Sequence, residues 1–478
     1  MQDQRFSAVC ARGGSLVAIW LVIGATACAD DRGVRSSTTA GTGATAGMTG
    51  TGGSASAGAG GGSLGGAGGA TISGASSGGS AGANAGNAGT AGSSGSGGVE
   101  SFEVELTPSV RVNDDLGNAD QFEVSLAARP DGLVFASWVD GRQGIRCGYA
   151  VSRDRGQTWG KNFTLAPAAG GITGDSVLAI DDAGNLYAGC QDYGTSQIML
   201  SVSRDSGETW GNWREIQAAP DKPWLGAGRN GTLFLSWLGG DAGFKRSLDH
   251  GETWEPVIPV GGVGHGTAIT VGRDGVVHVP YNYDQTTLSY RRSKNWGESL
   301  EQRRDLSPMG SACFGCDPRN HPITGAGSDP TGRVLAVTWS STMPGGDGDD
   351  DVWVVISRDG GETFGERLRV NDNEPRSRQF QSWTAVDAAG TTHVIWTDFR
   401  NNGENATYYA YLAEGSDRFS ENIEVGDARG EPIGFMGDYK GIAISGPDVM
   451  MAWCDTRNGD GDVYFSRLIN GARPKGQP

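Results

Sequence analysis

The chain has 478 residues, of which 81 are glycine, and its formal net charge is −17 at pH 7. This length suits several small domains or one large domain. Lysine and arginine form no long block, which argues against nucleic acid as a partner, since phosphate recognition needs clustered positive charge.

Residues 1–27 are predicted to be a signal peptide of the lipoprotein type. Arg5 and Arg12 precede an apolar run over 16–23, which is shorter than the roughly 20 residues of a spanning helix. Small residues then lead to Cys28, and this stretch resembles a lipobox, in which the cysteine carries the lipid. We therefore expect an exported protein, anchored by lipid to the cell envelope or cell surface. Plain secretion and a short membrane anchor are the alternatives.

Residues 28–100 are predicted to form a flexible tether. From about Ser36 to Gly98 the chain is almost entirely Gly, Ser, Ala and Thr. Such a composition cannot bury a hydrophobic core and is typical of disorder. The rest of the chain is assigned to one folded domain over 101–470, followed by a short tail over 471–478.

An eight-residue pattern, Ser-x-Asp-x-Gly-x-Thr-aromatic, recurs after the tether. Full copies begin at Ser152, Ser203, Ser247 and Ser357, and a degenerate copy begins at Ser293. The Asp can accept hydrogen bonds from the backbone N–H groups that follow it, and the Gly supplies a positive φ. The Thr and the aromatic then favour a strand, so each copy predicts a hairpin turn. The pattern resembles the Asp box, or bacterial neuraminidase repeat, of sialidase-like β-propellers.

A second motif, Trp-x-Asp-x-Arg, recurs at the end of apolar strands. Clear copies end at Arg142, Arg400 and Arg457, and weaker copies bring the strand slots to seven. Units of four short strands about every 45–60 residues suit propeller blades. The predicted fold is therefore all-β, a propeller of seven four-stranded blades, with the six blades of sialidases as the alternative.

The two ends of the domain predict how the ring closes. The stretch from Val110 to Asp114 repeats the stretch from Leu368 to Asp372, which is read as an outermost strand. The seventh blade lacks an outermost strand of its own, because the chain ends soon after its third strand. The strand near Val110 is therefore predicted to complete the seventh blade, which removes two exposed strand edges.

Polar residues before the first strand and after the second strand of each blade are predicted to share one face. The hairpin turns lie on the opposite face, and loops of this kind carry most binding sites. The candidate substrate-binding residues on this face are Arg142, Lys222, His265, His321, Arg400, Lys440 and Arg457. Asp175 and Asp221 belong to the same set of loops.

The resemblance to sialidases implies a Tyr nucleophile and an Asp acid/base, a departure from the scheme of two carboxylates. Tyr439, at the start of the last inner strand, matches that Tyr, and Asp438 or Asp140 would be the proton donor. The three-fold recurrence of Trp-x-Asp-x-Arg favours a structural role for its Asp and Arg, because a catalytic residue has no need to recur. The chain also contains no Arg-Ile-Pro, with which sialidases begin their first blade.

These observations favour carbohydrate binding as the function, with glycans or polysaccharide as partners. The alternatives are an exo-acting glycoside hydrolase of the sialidase type and a protein-interaction scaffold. No cofactor is expected, although acidic loops make calcium a possible ligand of Asp460 and Asp462, or of Asp347, Asp349 and Asp351. Cys190 occupies a Trp slot and is interpreted as a buried small residue, whereas Cys313 and Cys316 are spaced to close a small loop.

Overall fold

The computed structural model describes residues 102–142, 144–165, 171–218, 221–238, 242–262, 264, 266–310, 318, 321–342, 350–373 and 377–474. The predicted signal peptide, Cys28 and the tether lie outside these residues, as do His265, Cys313, Cys316, Asp347 and Asp349. No helix in the described ranges has the length and apolarity that a membrane crossing requires.

The described chain forms short antiparallel strands and one turn of 3-10 helix at Arg229–Gly231. The first strands are β1 (Phe102–Leu106), β2 (Val110–Arg111), β3 (Gln121–Ala128), β4 (Val134–Asp140), β5 (Arg146–Ser152), β6 (Phe163–Thr164), β7 (Thr173–Ile180), β8 (Leu186–Asp192), β9 (Gln197–Ser203) and β10 (Arg214–Ala218). Then follow β11 (Asp221–Ala227), β12 (Leu233–Leu238), β13 (Gly243–Ser247), β14 (Ile258–Pro259), β15 (Thr270–Val271), β16 (Val277–Asn282), β17 (Thr287–Ser293), β18 (Arg304–Pro308), β19 (Gly325–Ser328) and β20 (Leu335–Ser341). The last are β21 (Asp351–Ser357), β22 (Leu368–Arg369), β23 (Gln379–Val386), β24 (Thr392–Asp398), β25 (Ala406–Leu412), β26 (Ile423–Glu424), β27 (Gly441–Ser445), β28 (Asp448–Asp455) and β29 (Asp462–Pro474).

These strands form seven separate sheets, as predicted, rather than the alternative six. Blades 1 to 6 are the successive groups of four strands from β3 to β26, and blade 7 contains β27, β28 and β29. The first strands of neighbouring blades contact one another in sequence, so they surround the axis of the ring. The fold is an all-β propeller.

The N-terminal strands complete blade 7, which confirms the predicted ring closure. In β2, Val110 pairs with Phe465 of β29. β1 adds a further pairing that was not predicted, from Leu106 opposite Leu468 to Phe102 opposite Pro474. β29 thus continues to Pro474, into the stretch that we assigned to a tail.

The repeated Ser-x-Asp-x-Gly-x-Thr turns have the predicted hydrogen bonds. In the copy at Ser203, the backbone N–H of Thr209 donates to Asp205 Oδ1 at 2.9 Å, and the N–H of Gly207 donates to Ser203 Oγ at 2.8 Å. Gly207 has a φ of 86°. The Asp and Ser side chains therefore satisfy the backbone donors of the turn, which lets it close without help from other blades.

The core consists of apolar clusters between neighbouring blades. Trp138, Trp339, Trp396 and Trp453, at the same place in four second strands, are almost completely buried. A Cβ at Gly148 would lie 2.7 Å from the indole nitrogen of Trp138, so the third strand needs a glycine beside this ring. Close packing of these large side chains explains why the Trp slot recurs.

The structure corrects the interpretation of Cys190. This residue is buried, but it forms a disulfide with Cys147. Because Cys147 lies in β5 and Cys190 in β8, the bond joins blade 1 to blade 2. Cys454 is the free, buried cysteine of the described chain.

Candidate functional site

The side chains at one end of the propeller axis are positioned by irregular first strands. The pairing register shifts inside β3, β7, β11 and β23, which is the signature of a β-bulge. The bulged residues Glu123, Asp175, Lys222 and Gln381 have φ of 57°, 46°, 48° and 55°. Residues with a Cβ rarely adopt such values, and bulges are used to redirect side chains next to functional sites.

Lys222 is the centre of a buried ionic cluster that links four blades. Its Nζ lies 3.1 Å from Glu123 Oε1 of blade 1, 2.9 Å from Asp175 Oδ1 of blade 2 and 2.8 Å from Asp438 Oδ2 of blade 7. The three carboxylate side chains are at most 4% exposed. Tyr193 Oη donates a further hydrogen bond of 2.6 Å to Asp175. We call Glu123, Asp175, Asp221, Lys222 and Asp438 the axial cluster.

Aromatic rings pack beside the axial cluster. The ring centroid of Tyr439 lies 5.9 Å from that of Trp224 and 5.9 Å from that of Trp383. Lys222 Nζ lies 5.7 Å from the centroid of the Tyr439 ring, which is a cation–π distance. Tyr439 Oη is buried and has no hydrogen-bond partner among the described residues. An unsatisfied buried hydroxyl costs free energy, so folding alone does not account for this group.

The pKa values in the axial cluster are set by burial and by mutual charge. Burial opposes the charge on Lys222, but Asp175, Asp438 and Glu123 outweigh it and raise the pKa of this amine well above its usual value. Burial raises the pKa of Asp221 to about 7, an effect that Lys222 opposes and Asp175 reinforces. Burial, with help from Glu123 and Asp175, also raises the pKa of Tyr439 well above its usual value. Tyr439 is therefore a neutral phenol near pH 7.

Asp221 predicts a specific pH dependence of stability. Because the pKa of its carboxyl is about 7 when folded and 3.8 in the reference state, the folded protein binds more protons than the unfolded chain between these values. The contribution of Asp221 to the free energy of unfolding must then fall as the pH rises from about 4 to about 7. We expect Asp221→Asn to remove this slope in urea titrations across that range. If variant and wild type differed in free energy of unfolding by the same amount at every pH, the raised pKa of Asp221 would be contradicted.

The structure brings four of the predicted site residues together. Lys222, Asp438 and Tyr439 meet at the axial cluster, and His321 joins them, with Nδ1 3.9 Å from Asp438 Oδ2. Glu123 was not predicted as a site residue, although its neighbours Gln121 and Phe122 repeat in the sequence as Gln379 and Phe380. Extending that repeat by one residue aligns Glu123 with Gln381, and both prove to be bulged.

The predicted arginines of the site make contacts outside the axial cluster. Arg142 binds Asp140 at 2.6 Å and Asp114 at 2.7 Å. Arg400 and Arg457 repeat this arrangement, Arg400 with Asp398 and Asp372, and Arg457 with Asp455 and Asp427. Each arginine thus joins the second strand of its blade to the outermost strand region of the preceding blade, and these aspartates are not the carboxylates that pair with Lys222. This geometry suits the structural role of Trp-x-Asp-x-Arg.

Lys440 lies close in sequence to the axial cluster but makes a different contact. Its Nζ is buried and donates a 3.0 Å hydrogen bond to Thr407 Oγ1. Burial lowers the pKa of this amine to about 8, an effect that Cys454 and Asp455 oppose.

The acidic loops do not form a metal site among the residues that can be described. Asp462 is held by hydrogen bonds from Asn113 and Asn458, and Asp351 by one from Asn371. Within the described ranges, no group of three or more His, Cys, Asp or Glu side chains is arranged to hold a metal ion. Calcium binding stays a prediction, because Asp347 and Asp349 lie outside those ranges.

Comparisons with known proteins give the fold and no family. No protein-family model matches the sequence, and no curated protein resembles it at a significant level. Among solved structures, the lectin BP39L of Burkholderia pseudomallei is similar with a TM-score of 0.54 and 13% identity, over 74% of this chain and 98% of the lectin. An ulvan lyase matches with a TM-score of 0.47 and 12% identity, over 74% of this chain and 96% of the lyase.

Sialidases are also among the structural neighbours. The NanB sialidase of Streptococcus pneumoniae, in a mutant form, matches with a TM-score of 0.42 and 14% identity, over 76% of this chain and 71% of that chain. At such identities the likeness concerns the fold, because many unrelated functions share one scaffold.

Proposed function

We propose that this protein is an exported, surface-tethered propeller that binds carbohydrate at the axial cluster. One observation carries the proposal: four bulged first strands direct Glu123, Asp175, Lys222 and Gln381 to one end of the axis, beside the unpartnered hydroxyl of Tyr439. Strained backbone at several blades costs stability, so it indicates a site selected for something other than folding.

The chemistry of the site suits a sugar. Carboxylates accept hydrogen bonds from sugar hydroxyl groups, the Tyr439 hydroxyl can donate or accept, and Trp224 and Trp383 supply apolar faces. The lectin that shares the fold supports this class of ligand by analogy only. The repeated turns support the resemblance to sialidase-like Asp-box propellers.

The charge of the axial cluster favours neutral sugars over sialic acid. Four carboxyl groups surround a single lysine, and the cluster is net negative even with Asp221 protonated and His321 charged. The three arginines suited to bind a carboxylate are each already paired with two aspartates. An anionic ligand would therefore meet repulsion at the axial cluster and would find none of these three guanidinium groups free.

Export and tethering have separate support. The apolar run and Cys28 predict a lipoprotein signal, and a disulfide such as Cys147–Cys190 persists in oxidising compartments outside the cytosol. We propose that residues 28–100 hold the propeller away from the envelope.

Hydrolysis is a second candidate, which one observation favours. Asp221, with a pKa of about 7, can hold a proton beside the carboxyl groups that pair with Lys222, as a general acid requires. The raised pKa of Tyr439 opposes its use as a phenolate nucleophile. A glycosidase at this site would then use carboxylates alone.

Tyr439→Phe tests carbohydrate binding without disturbing the fold. Because the hydroxyl has no partner in the part of the chain that the structure describes, its removal should leave the free energy of unfolding unchanged or slightly raised, while glycan affinity should fall about 10-fold, the value of one lost hydrogen bond. Binding would be measured on a glycan array and by calorimetry, and a panel of fluorogenic glycosides would report hydrolysis. Equal affinity in the variant would refute the axial site, and binding to proteins but no glycan would favour a scaffold.

A further inference from the structure

Blades 1 and 6 are each joined to the preceding blade at their outer edge by an asparagine. Asn162, three residues after the aromatic of its hairpin turn, donates from Nδ2 to the carbonyl oxygen of Val112 at 3.0 Å. Asn422 occupies the same position in blade 6 and donates to the carbonyl oxygen of Val370 at 3.1 Å. In both cases the acceptor follows the outermost strand of the preceding blade. The asparagine therefore closes the seam between two blades.

Blade 2 lacks this asparagine, as do blades 3, 4 and 5, which have Val257, Arg303 and Arg367 at the same position. Trp213, three residues after Trp210, stands where blades 1 and 6 have asparagine, and Leu165 of blade 1 occupies the position of Val112 and Val370. An indole side chain has a hydrogen-bond donor but no acceptor, so it cannot replace an asparagine amide in both roles. The seam between blades 1 and 2 contains instead a groove of about 730 Å³. Its lining consists of Thr164, Leu165, Met199, Trp210, Gly211, Asn212, Trp213 and Glu215.

The lining combines flat apolar surfaces with polar groups at the rim. Trp210 and Trp213 are half-buried, whereas Asn212, Glu215 and Thr164 are exposed. The Trp213 indole N–H has no acceptor among the described residues. The volume lies within the roughly 300–1,000 Å³ of small-ligand sites, which are typically apolar with a few polar groups that fix orientation.

We propose that this groove is a second carbohydrate-binding site, which takes a neutral sugar ring. The C–H face of a pyranose would pack on the electron-rich face of Trp213, while its hydroxyl groups would donate to Glu215 and to the side-chain oxygen of Asn212. The carboxylate of Glu215 and the net charge of −17 disfavour an acidic sugar.

The groove is independent of the axial cluster. Its residues lie on or next to β6 of blade 1, on β9 and β10 of blade 2, and on the turn before β10. The axial cluster is built instead from the first strands of the blades and the residues just before them. Loss of one site therefore leaves the other intact, and two sites would let one molecule bind a polysaccharide at two points, which raises its avidity.

Trp213→Asn is the matched test, because it installs the residue that closes the seam in blades 1 and 6. We expect this variant to lose at least 10-fold in affinity for a subset of neutral oligosaccharides on an array. Tyr439→Phe should keep affinity for that subset. Glu215→Gln, which leaves the groove open, should weaken the same glycans and serves if Trp213→Asn fails to fold.

The outcomes separate the two sites. Loss in Trp213→Asn with no loss in Tyr439→Phe supports the groove, even if the axial proposal fails. Unchanged binding in both groove variants overturns the inference, as does a wild-type protein that binds no neutral oligosaccharide. Binding of peptides alone, displaced by Trp213→Asn, would also overturn it, because the occupant would then be a protein.

Discussion

Replacing Lys222 with methionine should destabilise the protein by about 3–5 kcal/mol at neutral pH, the usual cost of removing one partner from a buried ionic cluster. The variant leaves Glu123, Asp175 and Asp438 close together, buried and without their shared cation. Protonation relieves this repulsion. The loss should therefore be small near pH 4 and grow as the pH rises, because the folded variant then binds more protons than its unfolded chain. Urea unfolding of wild type and variant between pH 4 and 8 measures the effect.

Lys245→Met is the control for this prediction. Lys245 is another buried lysine, but its Nζ donates to the carbonyl oxygen of Ile216 at 2.8 Å and to Gln217 Oε1 at 3.1 Å, and no carboxylate pairs with it among the described residues. Removing these contacts should cost about 1 kcal/mol, with no growth of the loss toward high pH. If Lys222→Met matched Lys245→Met in size and pH dependence, the axial cluster would not be held by charge.

Loss of the disulfide between Cys147 and Cys190 should be the second large effect. The bond closes a loop with a sequence separation of 43, for which chain entropy predicts about 4 kcal/mol of stabilisation. We expect Cys147→Ala/Cys190→Ala to lower the free energy of unfolding by about 2–5 kcal/mol. Reducing agent should lower the stability of the wild type toward that of the double variant and leave the double variant unchanged.

Cys454→Ala is the matched control, because Cys454 is buried but unpaired. This variant should respond to reducing agent as the wild type does. Peptide mapping without reduction should recover the peptides of Cys147 and Cys190 joined. If they were found separate in protein purified from an oxidising compartment, the link between blades 1 and 2 would be refuted.

Much of the architecture could be predicted because its signals are local. The turn at Ser203 is satisfied by its own Asp205 and Thr209, so the pattern identifies a hairpin wherever it occurs. The resemblance between the stretches that begin at Val110 and at Leu368 was sufficient to predict ring closure. Both stretches include an outermost strand, one in blade 7 and the other in blade 5. The pairs of Asp and Arg were likewise readable as structural, because repeated contacts leave a repeated pattern.

The axial cluster could be predicted only in part. Lys222, His321, Asp438 and Tyr439 were expected on one face, but no pattern showed that Lys222 would meet Glu123, which lies 99 residues away. The contact between Lys222 and Glu123 depends on the bulges that turn the two side chains toward the axis. The closed ring also brings Asp438 of blade 7 to the same lysine.

The sequence by itself therefore determined the class of fold, the number of blades and the strand that closes the ring, because these follow from short repeats that satisfy their own hydrogen bonds. Only the tertiary structure decided which side chains meet. Lys222 pairs with carboxylates of other blades, Cys147 bonds to Cys190, and Trp213 lines the groove between blades 1 and 2. Each of these features involves residues of separate blades. Each of these contacts occurs once in the ring, unlike the Asp–Arg pairs that several blades repeat, so it leaves no repeated spacing in the chain from which it could be read.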